Sequence, residues 1–420
     1  MSLADLSIDP RCLRILKAQR IVAPTPVQAR AIPAALEGRD VTALAQTGTG
    51  KTLAFGLPAL TRLARAKPGA NRMLVLTPTR ELAQQISDVL DPLAKALGLR
   101  TVCVYGGVGM TPQTNALRRG CDIVVACPGR LLDHIQRKNV RFDGLSVLVL
   151  DEADRMLDMG FLPDIKRILS VCPKERQTLM FSATFPKEIQ QIAANLQRSP
   201  HRVEVGAIAT PVDAVRQGIY TVESSGKTGL LTKILDDPKI GPALVFLRTK
   251  HRTDRIAKAL HNQGFKAKAI HGGRTQGQRQ QAIEGFRSGK YKVLVATDVA
   301  ARGLDVEGIT HVVNYDIPNS SDDYIHRIGR TARANADGDA ITFVSPDDFQ
   351  ALARIEQALG KPLPREDWEG AVPVASTFRP ARLGSPTGKR RRVVYRGRRL
   401  ARARWKLKVG PDKDRCPWQK

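Results

Sequence analysis

Short apolar runs rich in Val, Leu and Ile recur along the chain as far as Pro364. In the first half they fall at Val41 to Ala45, Met73 to Leu76, Val102 to Tyr105, Ile123 to Ala126, Val147 to Leu150 and Leu179 to Phe181. Each ends in a cluster of Gly, Pro, Thr or Ser and leads to a stretch of helical periodicity, such as Arg80 to Leu97 or Lys187 to Leu196. Uninterrupted apolar strands joined by helices predict a parallel sheet covered on both faces. The pattern pauses over Gly206 to Gly218 and restarts at Gly218 to Val222, Leu244 to Leu247, Lys268 to Ile270, Val293 to Ala296, Val312 to Tyr315 and Ala340 to Val344, with helices such as Thr253 to Asn262 and Gln278 to Arg287 between them. The expectation is two α/β lobes of similar build, residues 1–205 and 218–366, joined by a linker over 206–217, each long enough for its own core. From residue 367 to 420 the periodicity dissolves into Pro, Gly, Ser and Arg, a composition that predicts a disordered tail.

Composition narrows the class. With 42% hydrophobic and 25% charged residues among 420, the chain is neither disordered throughout nor collagen-like. No run approaches the roughly 18 apolar residues of a membrane span, and Met1 to Lys17 lacks the apolar core of a signal peptide, so a cytoplasmic protein with no membrane partner is expected. Six scattered cysteines with no Cys-x-x-Cys pair argue against a disulfide framework or a zinc knuckle. The net charge of +27 points to a polyanion, with nucleic acid the default. Ala371 to Lys420 holds sixteen Lys and Arg against Asp412 and Asp414, so +14 of that charge sits in the last fifty residues.

Two strings carry chemistry. Ala45-Gln46-Thr47-Gly48-Thr49-Gly50-Lys51-Thr52 follows a predicted strand and opens a predicted helix, the setting in which backbone N–H groups cradle phosphates. Lys51 would reach the β- and γ-phosphates of ATP and the Thr52 hydroxyl would ligate Mg²⁺. Ala45 stands where the general pattern has Gly; read alone, the string also fits a Gly-rich strand-to-helix turn. Further on, Leu148 to Leu150 runs into Asp151-Glu152-Ala153-Asp154, placing acids at the carboxyl end of a buried strand, where open α/β sheets bind ligands. Asp151 suits Mg²⁺ and Glu152 suits the general base for water attacking the γ-phosphorus.

Over Leu3 to Pro364 the chain resembles the DEAD-box ATP-dependent RNA helicases, most nearly the bacterial RhlE-like subgroup. That resemblance implies two tandem RecA-like lobes of the P-loop NTPase type. It rests on motifs in order: Pro24 to Gln28, Ala45 to Thr52, Pro78 to Leu82, Gly106-Gly107, Pro128 to Arg130, Asp151 to Asp154, Ser182 to Thr184, Val245 to Thr249, Ala296 to Asp305 and His326 to Arg333. By resemblance, Gln28 reads the adenine edge and Asp305 meets the ribose. Arg330 and Arg333 meet the γ-phosphate, while Asp154, Ser182, Thr184 and His326 couple the lobes. Thr79, Arg80, Gly107, Gly129, Arg130, Gly272, Gln276, Arg279, Thr297 and Arg302 line the RNA path; for Arg80 and Arg130 a helix-start ion pair is the alternative. Mostly small or cationic, these groups suit phosphate and sugar and imply weak sequence preference. Four positions depart from the family pattern: Leu3 for an aromatic, Arg20 for Gly, Cys127 for Thr and Ala332 for Gly.

The expected activity is RNA-stimulated ATP hydrolysis coupled to local duplex unwinding or ribonucleoprotein remodelling, with ribosomal or RNA-decay assemblies as possible settings. The split of Lys51, Thr52, Asp151 and Glu152 from Arg330 and Arg333 predicts slow hydrolysis until RNA bridges the lobes. Two other readings stand at this stage: an ATP-gated RNA clamp or chaperone, and a DNA translocase sharing the two-lobe motor. In the tail, Lys389 to Arg392 and Arg396 to Lys408, with Tyr395 and Trp405 among them, suit a nucleic-acid tether, or a charge run that aids solubility.

Overall fold

The computed structural model describes residues 2–45, 48–67, 69–205, 215–301, 308–331 and 338–366. The first sheet contains β1 (Val41–Leu44), β2 (Met73–Leu76), β3 (Thr101–Val104), β4 (Ile123–Ala126), β5 (Val147–Asp151), β6 (Gln177–Ser182) and β7 (His201–Glu204). All its pairings are parallel, in the order β3-β4-β2-β5-β6-β1-β7. The second contains β8 (Val215–Thr221), β9 (Ala243–Leu247), β10 (Ala267–Ile270), β11 (Val293–Thr297), β12 (His311–Asn314), β13 (Gly338–Val344) and β14 (Arg365–Glu366). Its order, β10-β11-β9-β12-β13-β8-β14, repeats the first when strands are ranked along the chain, and it too is wholly parallel. The chain separates into two compact units, one on each sheet. They are the two RecA-like lobes.

Both faces of the first sheet are covered. Val41, Met73, Val75, Val147, Val149 and Phe181 pack into one core, with residues of α1 (Pro10–Ala18), α2 (Pro26–Leu36), α3 (Lys51–Arg65) and α4 (Arg80–Ala96). Their strand neighbours Leu74, Leu76, Leu148, Leu150 and Met180 pack into the other, with α6 (Pro128–Gln136), α7 (Ala153–Asp158), α8 (Leu162–Ser170) and α9 (Lys187–Leu196). Alternate residues therefore serve opposite cores, and both must be apolar; that is why the strands read as unbroken runs. Between β3 and β4 lies α5 (Met110–Arg118). The second lobe adds α10 (Lys227–Asp236), α11 (Lys250–Asn262), α12 (Gln276–Arg287), α13 (Asp298–Ala301), α14 (Ser321–Ile328) and α15 (Phe349–Leu359).

Three strand assignments differ from the sequence reading, one of them the unanticipated two-residue β14, an exposed edge strand that pairs with β8 alone. β7 was not anticipated: in His-Arg-Val-Glu only Val203 is buried, because the strand lies on the sheet edge and pairs with β1 alone. β8 begins at Val215, three residues before the expected Gly218, its polar Arg216 and Gln217 masking the apolar signal. The expected tail, 367–420, lies outside the described residues.

Arg20 closes the cap of α1. α1 ends with Arg20 N–H on the Lys17 carbonyl (3.0 Å) and Ile21 N–H on the Leu16 carbonyl (2.9 Å), the paired bonds of a Schellman cap. Such a cap puts its closing residue in the left-handed region, and Arg20 has φ +62°. A Cβ there costs about 1–2 kcal/mol, partly offset by glycine's extra chain entropy of about 0.5–1 kcal/mol. Arg20→Gly is expected to stabilise the first lobe by up to about 1 kcal/mol, raising its Tm by about 1–4 °C in thermal denaturation.

Leu3 and Cys127 have their own physical settings. Leu3 is 2% exposed and belongs to the first core, so its side chain is committed to packing. Cys127 sits at the N-cap of α6 without a side-chain cap bond, whereas Thr79 and Thr249 cap α4 and α11 by accepting from Leu82 N–H and Arg252 N–H. The hydroxyl lost at 127 is thus a helix cap. Ala332 lies outside the described residues.

Candidate active site

The strands of the first lobe deliver their motifs to one edge of the sheet. Register sets Leu44 beside Ser182, and Asp151 beside Phe181, so the phosphate loop, the acidic strand end and Ser182 leave the sheet side by side. Ala45 N–H continues the ladder to the Ser182 carbonyl at 3.0 Å. Open α/β sheets bind ligands at this carboxyl edge.

The loop's conformation explains its composition. Gly48 and Gly50 both have φ +86°, a left-handed geometry suited to glycine. At Gly50 a Cβ would also come 2.5 Å from Gln28 Nε2. Ala45 is not among the positive-φ residues, so its methyl group meets no backbone objection. Lys51, only 7% exposed, opens α3 and donates from Nζ to the Ala45 carbonyl at 3.1 Å, which holds the ammonium over the loop. Thr52 follows, half-buried in the first turn. Gln46 and Thr47 lie outside the described residues.

Gln28 ties the Pro24 to Gln28 segment to this loop. Its Oε1 accepts from Thr25 N–H at 3.0 Å and its Nε2 donates to the Gly50 carbonyl at 3.0 Å. A primary amide has two donor hydrogens and two acceptor lone pairs. One of each therefore remains for an adenine edge while the amide stays anchored.

The acids at the end of β5 are buried: Asp151 is 2%, Glu152 3% and Asp154 4% exposed. Burial pushes the Asp151 carboxyl up to about 6, against the pull of the Lys51 ammonium and with the push of the Glu152 charge. Because this exceeds its ordinary 3.8, the folded protein holds the proton more tightly, and the associated stability is lost as pH rises through about 6. Above that, the ionised carboxylate costs on the order of 2–3 kcal/mol. Asp151→Asn keeps the acceptor that receives Glu152 N–H and removes the charge. It is expected to raise the Tm of the nucleotide-free protein by roughly 4–10 °C at pH 7.5. The gain should vanish near pH 4, as thermal denaturation at the two pH values would show.

Asp154 points to the next strand. Its Oδ2 accepts from Ala183 N–H (3.1 Å), Thr184 N–H (2.7 Å) and the Thr184 hydroxyl (3.0 Å), while its own N–H donates to Ser182 Oγ (3.2 Å). The acidic turn and Ser182-Ala183-Thr184 are one hydrogen-bonded unit, so a displacement of either is transmitted to the other.

Beside it, Thr79, Arg80, Gly107, Gly129 and Arg130 cluster at the ends of β2, β3 and β4. Arg80 lies on Gly107, which has φ +83°; a Cβ there would stand 1.9 Å from Arg80 Nη1. Arg130 donates to the Val108 carbonyl at 3.1 Å and sits 3.8 Å from Asp133, so its ion-pair alternative is present together with a loop-positioning bond. Thr79 is 5% exposed and its oxygen caps α4. At Gly129 and Gly272 the fold makes no such demand: φ is ordinary and a Cβ would touch nothing within 4 Å. Missing side chains there leave the backbone approachable.

In the second lobe Thr297 closes β11, Gly272 follows β10, and Gln276 and Arg279 lie on α12. His326 is on α14, and Arg330 follows that helix. The anchor of this region, not anticipated from sequence, is Arg327. It is 3% exposed and grips Asp298 with Nε–Oδ1 at 2.5 Å and Nη2–Oδ2 at 2.7 Å. Its Nη1 also donates to Asn314 Oδ1 (3.1 Å) and the Asp316 carbonyl (2.7 Å). Arg302, Asp305 and Arg333 lie outside the described residues.

The second lobe also carries Gly226-Lys227-Thr228 after β8, the topological counterpart of Gly50-Lys51-Thr52. Here Gly226 has φ −82°, and the buried Lys227 ammonium is paired with Asp348 at 3.0 Å. A carboxylate of the chain's own occupies the lysine, and this turn is not a phosphate loop.

Among the described residues no three His, Cys, Asp or Glu side chains form a metal cluster. Mg²⁺ commonly takes one or two protein carboxylates plus substrate phosphates, so Asp151 with Thr52 fits that mode, and the raised, crowded Asp151 carboxyl would be relieved by a cation. Four described thiols, Cys12, Cys103, Cys121 and Cys172, are pushed up to about 11–12 mainly by burial, which leaves them poor nucleophiles. Among the described residues no helix is long and apolar enough to cross a membrane.

Comparison with known proteins agrees. A family model described as DEAD/DEAH box helicase matches residues 25–192, and one described as helicase conserved C-terminal domain matches 226–335. The chain is 43% identical over 371 residues to the ATP-dependent RNA helicase CshA of Listeria monocytogenes, covering 88% of this chain and 71% of the relative. It is 42% identical over 361 residues to the DEAD-box ATP-dependent RNA helicase CshA of Bacillus subtilis, covering 86% and 73%. The solved structure of S. cerevisiae Dbp5 bound to RNA and ADP BeF3 superposes with a TM-score of 0.78 at 31% identity, over 87% of this chain and 95% of Dbp5. With these motifs in this geometry on paired RecA-like lobes, the chain belongs to the DEAD-box family of ATP-dependent RNA helicases.

Proposed function

We propose that the carboxyl edge of the first lobe binds ATP, with Gln28 on adenine, Lys51 and the loop amides on the phosphates, and Glu152 as the base that orients and deprotonates the attacking water. The observation that carries this reading is the convergence of Lys51, Asp151, Glu152 and the Asp154–Thr184 unit on one buried edge. Mg²⁺ held by Asp151 and Thr52 would neutralise charge developing on the phosphates. Thr79, Arg80, Gly107, Gly129 and Arg130 meet the RNA backbone from the first lobe, and Gly272, Gln276, Arg279, Thr297 and Arg302 from the second. Arg330 and Arg333 complete the γ-phosphate site when RNA engages both lobes, and Asp305 takes the ribose. Asp154, Ser182, Thr184 and His326 pass that engagement between nucleotide and RNA.

The reading extends to a cytoplasmic setting, to an RhlE-like character, supported by the basic residues after the second lobe, and to ribosomal or RNA-decay assemblies as substrates. A strand-displacement assay on a short RNA duplex tests it: ATP-dependent displacement by the wild type, abolished by Glu152→Gln, is the expected result. Displacement that survives in the variant would assign the protein to hydrolysis-independent remodelling.

The tail is proposed as an RNA tether, its cations following phosphates and Tyr395 and Trp405 stacking on bases. A chain ending at Glu366 is expected to keep RNA-stimulated hydrolysis but bind structured RNA about tenfold more weakly, with a shallower salt dependence. Equal affinity and equal salt slope in titrations of the two chains would refute the tether.

A further inference from the structure

Arg155 lies three residues after Glu152 in the first turn of α7, and its Nη1 donates to Glu152 Oε2 at 3.0 Å. On a helix surface such a pair is commonplace and weak. Here the Arg155 side chain is 3% exposed and that of Glu152 4%. The guanidinium takes Glu152, while the Arg155 backbone N–H donates to Asp154 Oδ1 at 3.0 Å. Glu152 also adopts φ +53°, ψ +53° as the N-cap of α7, a left-handed conformation uncommon for a residue with a Cβ and typical of functional sites. The backbone therefore sets where the Glu152 side chain starts, and the guanidinium sets where it ends.

We propose that Arg155 is the positioning residue of the catalytic base: by gripping one carboxylate oxygen in a buried site, it fixes the orientation in which Glu152 meets the attacking water. A glutamate has three rotatable side-chain bonds, and a misplacement of about 1 Å at a reacting group can cost about a hundredfold in rate. The guanidinium is suited to the task because its planar, directional donors fix a carboxylate better than an ammonium does.

The inference rests on Glu152 being the base, and a mutant cycle keeps the two claims apart. ATP turnover, single-turnover hydrolysis and affinity for a non-hydrolysable ATP analogue are measured for wild type, R155M, R155K, E152Q and the E152Q combinations, with RNA saturating. R155M is expected to lower kcat about a hundredfold and R155K about tenfold, with KM for ATP and analogue affinity changed less than threefold. In the E152Q background either substitution should change the residual rate less than twofold, because the group being positioned is already gone. If R155M fails to fold, R155K carries the same comparison. A loss of equal factor in both backgrounds, a loss seen in KM or analogue affinity, or an unchanged kcat would overturn the proposal. Should E152Q alone turn over normally, the assignment of Glu152 as base fails instead.

Discussion

Replacing Glu152 with Gln is expected to lower RNA-stimulated ATP turnover by about 10²–10⁴ while leaving ATP binding nearly intact. The substitution preserves shape and one acceptor oxygen but cannot take a proton from water. Nucleotide affinity should survive because the groups proposed to hold the substrate, Lys51, the loop amides and Gln28, are unchanged in the variant. The fold should survive too: Glu152 N–H still reaches Asp151, and the side-chain amide oxygen can still accept from Arg155. Steady-state turnover alongside analogue binding checks both halves. A variant that loses binding with turnover would mean that Glu152 builds the pocket and does no chemistry.

Neutralising Arg330 and Arg333 together, as R330Q/R333Q, is expected to lower RNA-stimulated turnover by about 10³–10⁵, the range attributed to arginine fingers. The structure gives Arg330 a firm base. The preceding helix is tied down by Arg327, whose guanidinium spans Asp298, Asn314 and the Asp316 carbonyl. Those bonds belong to the second lobe alone and stay intact in the double variant. RNA-independent turnover should fall much less, since the arginines act once RNA has engaged both lobes. Measuring turnover with and without RNA separates this outcome from general damage, in which both rates drop together.

The proposed nucleotide site is legible in the sequence because its residues lie in short contiguous strings, each attached to an unmistakable buried strand. Ala45 to Thr52 and Asp151 to Asp154 needed only the inference that both strands share a sheet, and the register of β1, β5 and β6 bears this out. Fold class was legible for the same reason: strands buried on both faces leave no polar alternation to confuse the reading. What escaped depends on geometry that composition does not carry. β7 hid because an edge strand keeps only Val203 inside. The left-handed φ of Arg20 became visible only with the Schellman cap that imposes it. The role of the Thr79 oxygen as a helix cap, accepting from Leu82 N–H, is equally invisible in the string. Nothing in a string of letters distinguishes the buried guanidinium groups of Arg155 and Arg327 from solvated ones. Conversely, Gly226-Lys227-Thr228 looks like a second phosphate loop, and only the Asp348 carboxylate on Lys227 shows why it is not one.

The account turns on a hydrolytic pocket in the first lobe that RNA brings to full activity. The most direct test is ATP turnover by the full chain with no nucleic acid, single-stranded RNA, duplex RNA and DNA side by side across a salt series. The prediction is strong stimulation by RNA that weakens as salt rises, and little response to DNA. Turnover that RNA leaves unchanged at every salt concentration would contradict it.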